Sequence, residues 1–105
     1  MRFTSYLEDK RLTVALTGEI DHHCAKGFIE AITSKIEIYN PTVCVLDFRD
    51  VSFMDSSGIA VAINAMRCIQ KIGGELILGG LSAQPLKVLR ASGIDKLIEI
   101  REAII

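Results

Sequence analysis

The stretch VCVLDFRDVSFMDSSG, Val43 to Gly58, followed at once by IAVAINAMRCIQKI, decides the fold. It reads as a hydrophobic strand running out at Phe48, a short polar connection carrying Arg49 and Asp50, and a helix opened by Asp55, Ser56, Ser57 and Gly58. The nearly continuous hydrophobicity of Thr42 to Phe48 predicts a central strand covered on both sides. Asp55 is a natural N-cap, because its carboxylate accepts a hydrogen bond from a first-turn N–H that has no partner within the helix. The Ser56 hydroxyl then lies at a positively polarised, solvent-facing helix end. There the dipole and the backbone N–H groups would tolerate an added phosphate.

Upstream, Arg2 to Glu8 and Arg11 to Thr17 read as two strands joined by a tight turn at Asp9 and Lys10. Leu12, Val14 and Leu16 alternate with Thr13, Ala15 and Thr17, the period of a strand with one face in a core. Gly18 to Asp21 breaks that pattern. Asp21 is placed to cap a helix over His22 to Tyr39, whose Phe28, Ile29, Ile32, Ile36 and Tyr39 fall along one face. Asn40-Pro41 stops it, since proline disfavours helical geometry in the preceding residue. Downstream, a helix from about Ser57 to Ile72 aligns Ile59, Ile63, Met66 and Ile69 and is closed by Gly73 and Gly74. Glu75 to Leu78 follows as a strand. Ser82 can cap a third helix, with Pro85 in its first turn, Leu86 and Leu89 facing inward and Gly93 past its end. Leu97 to Ile100 is the last strand.

The order β-β-α-β-α-β-α-β predicts a layered α/β domain whose crossover helices make the strands after the opening hairpin parallel. Sites in such sheets gather at the carboxyl ends of strands, so Gly18 to Asp21 and Arg49 to Ser56 should meet at one edge.

The 105 residues suit one domain. With 12 basic and 13 acidic residues and a net charge of -1, no field attracts nucleic acid or an anionic membrane. Cys24, Cys44 and Cys68 are odd in number and widely spaced, which fits a reduced compartment better than a disulfide framework. No signal-type h-region and no bilayer-length apolar run is seen, so a soluble, cytoplasmic protein is expected. His22-His23 with Cys24 invites a metal reading. Adjacent histidines at a helix start should point in different directions, however, and no second ligand pair exists, so neither metal nor cofactor is expected. Cys44 and Cys68 read as small buried hydrophobes.

Four signatures in order, LTGEIDHH (Leu16 to His23), VSFMDSSG (Val51 to Gly58), IGGE (Ile72 to Glu75) and ASGI (Ala91 to Ile94), resemble those of the anti-sigma factor antagonist family, whose fold is the STAS domain. The likeness is closest to the sporulation members and runs from Thr13 to about Ile100. It implies a single STAS domain over 1-105, with a mixed central sheet of about five strands, an opening hairpin and three to four interleaved helices. It also implies a switch rather than an enzyme. Unphosphorylated members bind an anti-sigma factor that is also an ATP-dependent serine kinase, and so free the sigma factor. The kinase phosphorylates the serine after the Asp of the Asp-Ser-Ser-Gly motif, here Ser56, and a metal-dependent PP2C-type phosphatase reverses this. Asp55 matches the neighbouring family Asp, and Asp21 the acidic residue of the preceding loop. Ser57 and Gly58 complete the partner-binding environment. The sporulation members continue into a further helix where this sequence has Arg101 to Ile105.

Plainer readings stand beside this one. Asp-Ser-Ser-Gly before a helix is by itself only a cap. Ser57 is a second candidate acceptor, although one step further into the helix it is placed to serve the backbone. A serine hydrolase built from Ser56, a histidine of the 22-23 pair and Asp21 lacks a Gly-x-Ser-x-Gly elbow, and Asp21 is too close in sequence to orient His22. A receiver using Asp47 or Asp50 lacks the paired acids and late lysine of such a site. The competing functional class is a STAS-type phosphoswitch module in another complex, a stress scaffold or a transporter-linked regulator. A phosphate on Ser56, beside Asp21 and Asp55, adds about 1.5 to 2 negative charges and repels acidic partner groups.

Overall fold

Asp9 and Lys10 both adopt left-handed backbone conformations, with φ of 48° and 65°, as a two-residue hairpin turn requires. They join strand β1 (Arg2–Glu8) to β2 (Arg11–Ile20) in a computed structural model that describes residues 2–102. The chain continues through α1 (Ala25–Tyr39), β3 (Val43–Met54), α2 (Ser57–Gln70), β4 (Glu75–Gly79), α3 (Ala83–Ser92), a 3₁₀ turn (Ile94–Lys96) and β5 (Glu99–Arg101). The strands lie in the order β1-β2-β3-β4-β5. The β1–β2 pair is antiparallel and every later pair is parallel, as the crossover helices demand. Of Arg101 to Ile105, where the resemblance implies a further helix in the sporulation members, Arg101 ends β5 and residues 103–105 lie outside the described residues. No helix among those described is long and apolar enough to cross a membrane.

Leu12, Val14 and Leu16 of β2, Cys44, Leu46 and Phe48 of β3, and Leu76 and Leu78 of β4 share one core with Phe28, Ile32 and Ile36 of α1 and Val61, Ala62, Ala65 and Ile69 of α2. The opposite face of β3 is shielded too. Val45 is fully buried, and Asp47, 4% exposed, accepts from the Arg49 backbone N–H at 2.9 Å and from its guanidinium at 2.8 and 3.1 Å. β3 thus occupies the shielded central position expected of it.

Two strands run further than their sequences suggest. β2 continues through Gly18 and Glu19 to Ile20, and β3 through Arg49 and Asp50 to Met54. The reason is a pair of register shifts: Ala15 and Thr17 face Asp47 and Asp50, and Gly18 and Glu19 face Val51 and Phe53. Each inserts one extra β3 residue, which bends the strand and resets which side chains face inward. Burial in β3 therefore passes from Phe48 to Val51 to Met54, every third residue. A period of three looks like the end of a strand.

The helices depart from their patterns in similar ways. α1 begins at Ala25, after a turn over His22 to Cys24, and Tyr39 at its end is 42% exposed. Asn40 ends it in a left-handed conformation. α2 ends at Gln70, with Gly73 at φ 77°. Its buried stripe is Gly58, Val61, Ala62, Ala65 and Ile69. Ile59, Ile63 and Met66 only flank the core, because small residues let α2 approach its neighbours closely and displace the bulkier stripe sideways. In α3, Pro85 is buried with Leu89, whereas Leu86 stays half-exposed. Ser82 stands at its N-cap position without a side-chain cap bond. Leu97 precedes β5 and is 69% exposed.

Gly58 shows how tightly α2 is seated. A Cβ there would lie 2.1 Å from Met54 Sδ and 2.2 Å from its Cγ, and Met54 is fully buried. Overpacking costs about 1–3 kcal/mol, against about 0.8–1.0 kcal/mol of helix propensity gained on replacing glycine by alanine. Gly58→Ala should therefore lower the urea midpoint, and an unchanged or higher midpoint would refute this packing account.

Candidate functional site

The site forms where β2 and β3 end together. Ile20 is in register with Met54, and the Asp55 N–H donates to the Ile20 carbonyl at 3.1 Å. Asp21 and Asp55 are thus the next residues on two joined strands, and the two connections expected to meet at one edge do so.

At the mouth of α2, Asp55 caps as expected: its Oδ1 accepts from the Ser57 N–H at 2.8 Å. The Gly58 N–H bonds the Asp55 carbonyl at 3.0 Å, and the Ile59 N–H bonds the Ser56 carbonyl at 3.1 Å. The Ser57, Gly58 and Ile59 N–H groups are therefore already engaged. A phosphate on Ser56 would meet the helix dipole and solvent instead. Ser56 itself holds the N-cap position with helical φ and ψ of -61° and -17°, and its exposed hydroxyl makes no capping bond. Ser57 is partly buried. It gives its N–H to Asp55, while its hydroxyl makes no bond to the backbone, contrary to the role expected for it.

Asp21 acts on the turn before α1 rather than on the first turn of the helix. Its Oδ1 accepts from the His23 N–H at 2.9 Å and the Cys24 N–H at 3.2 Å, and from the Cys24 thiol at 3.4 Å. The thiol bond above all, with the two backbone bonds, holds the carboxyl below the ordinary aspartate range even though burial opposes it. The thiol also lies 3.1 Å from the Glu19 carbonyl, tying the end of β2 to α1. The His22 and His23 rings sit side by side, 3.9 Å between centroids, rather than diverging. Both are exposed. Among the described residues no group of three or more His, Cys, Asp or Glu could hold a metal ion.

Cys44 is fully buried and its thiol is pushed up to about 12, first by burial and then by Cys68. Cys68 is only partly buried, short of the burial expected for it. Asp47 is tied to Arg49, and Asp50 is exposed on β3. Two further residues join the site without a sequence signal. Phe53, 43% exposed, belongs to the same strand end; the register shifts hide which way it faces. Gln84 of α3 bonds both backbone groups of Met54.

The STAS domain family profile matches residues 5–104. The chain is 30% identical over 90 residues to the anti-sigma-B factor antagonist of Listeria monocytogenes, covering 86% of this chain and 78% of the relative. It is 31% identical over 83 residues to the anti-sigma F factor antagonist of Lysinibacillus sphaericus, covering 79% and 71%. Among solved structures, the anti-sigma factor antagonist SpoIIAA in its unphosphorylated form superposes with a TM-score of 0.74 at 26% identity, over 97% of this chain and 89% of that one. The Bacillus cell fate determinant SpoIIAA in its phosphorylated form gives 0.72 at 28%, over 94% and 90%.

Asp55→Ala removes a cap and should cost about 1 kcal/mol, whereas Ser56→Ala, which removes none, should stay within about 0.5 kcal/mol of the native chain. Paired urea titrations check this, and equal losses would contradict the division of roles. The lowered Asp21 value means its stabilising contribution is present above the ordinary aspartate range and is lost as pH falls through the lowered value. Carboxyl ¹³C titration should show Asp21 protonating late, and Cys24→Ala should return it toward the ordinary range.

Proposed function

The chain belongs to the STAS domain family, and on that footing we propose that it is an anti-sigma factor antagonist controlled by phosphorylation of Ser56. In the unphosphorylated state the edge carrying Asp21, Asp55, Ser56, Ser57 and Gly58 binds an anti-sigma factor and displaces the sigma factor from it. The protein is a regulatory binding protein rather than an enzyme, and it works in the cytoplasm. The same partner, acting as a serine kinase, transfers the γ-phosphoryl group of ATP to Ser56 Oγ. ADP leaves, and the hydroxyl proton passes to a base on the kinase. A PP2C-type phosphatase hydrolyses the ester and restores the binding form.

The observation that carries this reading is the state of the Ser56 hydroxyl. It is exposed at a helix mouth and free of capping duty because Asp55 performs it. A kinase can reach such an oxygen without opening the helix. The relatives named as antagonists of anti-sigma-B and anti-sigma F factors support the class of partner, and a neighbour solved in phosphorylated form supports the kind of control.

The switch acts by local charge and bulk. Phosphate adds about 1.5 to 2 negative charges next to two carboxylates, where the Ser57, Gly58 and Ile59 N–H groups are already used. Acidic groups on the partner are repelled, and contacts that need a bare hydroxyl are lost. The exposed Phe53, His22 and His23 at this edge give the partner one apolar and two polar contacts that phosphate would also disturb.

Incubation with purified anti-sigma factor kinase and ATP, followed by mass spectrometric mapping, should place one acid-stable phosphate on Ser56. Ser56→Ala should take none and keep its affinity for the kinase within about twofold, whereas Ser56→Asp should bind more than about tenfold more weakly. Phosphate mapped to Ser57, or undiminished labelling of Ser56→Ala, would overturn the assignment.

A further inference from the structure

The β3 backbone outruns its neighbour. β4 pairs with β3 only as far as Asp47 and Gly79, so beyond that point β3 has strand partners on its β2 side alone. Backbone groups at a partly buried strand end need partners, and at Met54 the partner is a side chain. Gln84 Oε1 accepts from the Met54 N–H at 2.9 Å, and Gln84 Nε2 donates to the Met54 carbonyl at 2.8 Å. The carboxamide thus stands in for the missing β4 peptide, at the residue immediately before Asp55. Its amide orientation is fixed by this pairing, because the flipped group would set donor against donor.

We propose that Gln84 is a positioning residue that holds Ser56 in the geometry its kinase requires; this rests on the switch reading of Ser56 given above. Gln84 is presented from the first turn of α3, which is anchored by buried Pro85 and Leu89. Met54 is therefore held from two sides. Its register with Ile20, continued by the Asp55 N–H bond to the Ile20 carbonyl, fixes it to β2, and the Gln84 amide fixes it to α3. Its fully buried side chain lies against Gly58, inside the first turn of α2. The Asp55–Ser56 step is suspended between the clamped peptide and that turn. Loss of the clamp frees the peptide before Asp55 while leaving the core residues in place. The serine stays exposed but samples many orientations, and misplacement of a reacting atom by an ångström can cost about 100-fold in rate.

The test uses the full chain with purified anti-sigma factor kinase and ATP, comparing native protein, Gln84→Ala and Gln84→Glu. Gln84→Ala should lower kcat for Ser56 phosphorylation by about tenfold, with KM changed less than about twofold. A merely structural loss would unfold part of the substrate and raise the apparent KM, leaving kcat at saturation unchanged. Gln84→Glu keeps an acceptor for the Met54 N–H but sets a carboxylate oxygen against the Met54 carbonyl, so it should lower kcat at least as far as Gln84→Ala; it also serves if the alanine variant does not fold. In amide hydrogen exchange, which needs no kinase, the Met54 N–H should lose about tenfold of its protection in Gln84→Ala while the Leu46 N–H keeps its own. Native kcat in both variants, with the label on Ser56, overturns the positioning role and leaves the switch standing. A native chain that takes no phosphate on Ser56 overturns the switch, and the role of the clamp in it, even where the exchange result holds.

Discussion

One backbone hydrogen bond, from the Asp55 N–H to the Ile20 carbonyl at 3.1 Å, closes the parallel ladder between β2 and β3, and the arrangement of the site depends on it. That ladder is the most extensive pairing in the sheet. It carries the chain past the ends of its other neighbours until two acidic residues, more than thirty positions apart in sequence, emerge side by side. The ladder runs that far only because β3 takes in two extra residues along the way. Without the first of them the Val51 side chain would point away from the core, and part of the burial that holds the strand end in place would be lost.

At the end of the ladder the hydrogen-bonding work is divided among neighbours. Asp55 satisfies the Ser57 N–H, and the Asp55 and Ser56 carbonyls satisfy the next two donors. Among the described residues, the Ser56 side chain is left with no capping bond to make. Below it, Met54 fills the space that a side chain on Gly58 would need, so the helix mouth rests on a packed side chain rather than on a flexible loop. A hydroxyl presented on a rigid mount, without a capping bond, combines two properties that suit the proposed phosphorylation. It can be reached by another protein, and modifying it breaks no bond of the fold.

Much of this was legible in the chain. The tight turn at Asp9 and Lys10, the stop at Asn40, the central place of the Thr42 to Phe48 run and the parallel order after the hairpin were all readable from the order and pattern of the residues. The capping role of Asp55 was equally readable, since a carboxylate two residues before a free N–H has little else to do. Tyr39, Leu86, Ile59, Ile63 and Met66 were misplaced because helical spacing fixes a stripe but not how closely a neighbour approaches. α2 turned its smaller residues inward to let the layers meet. The histidine rings came together, against expectation, because the turn before α1 is not yet helical.

What the sequence determined by itself is the set of elements and the chemistry offered at their ends, because capping, turn formation and apolar periodicity act over a few residues. Tertiary structure alone decided that β2 and β3 run on to Ile20 and Met54 and that Gln84 replaces a missing strand. Each of these depends on a register shift or on a contact between distant segments. No local pattern encodes such contacts, because they exist only after the sheet has bent and the layers have packed.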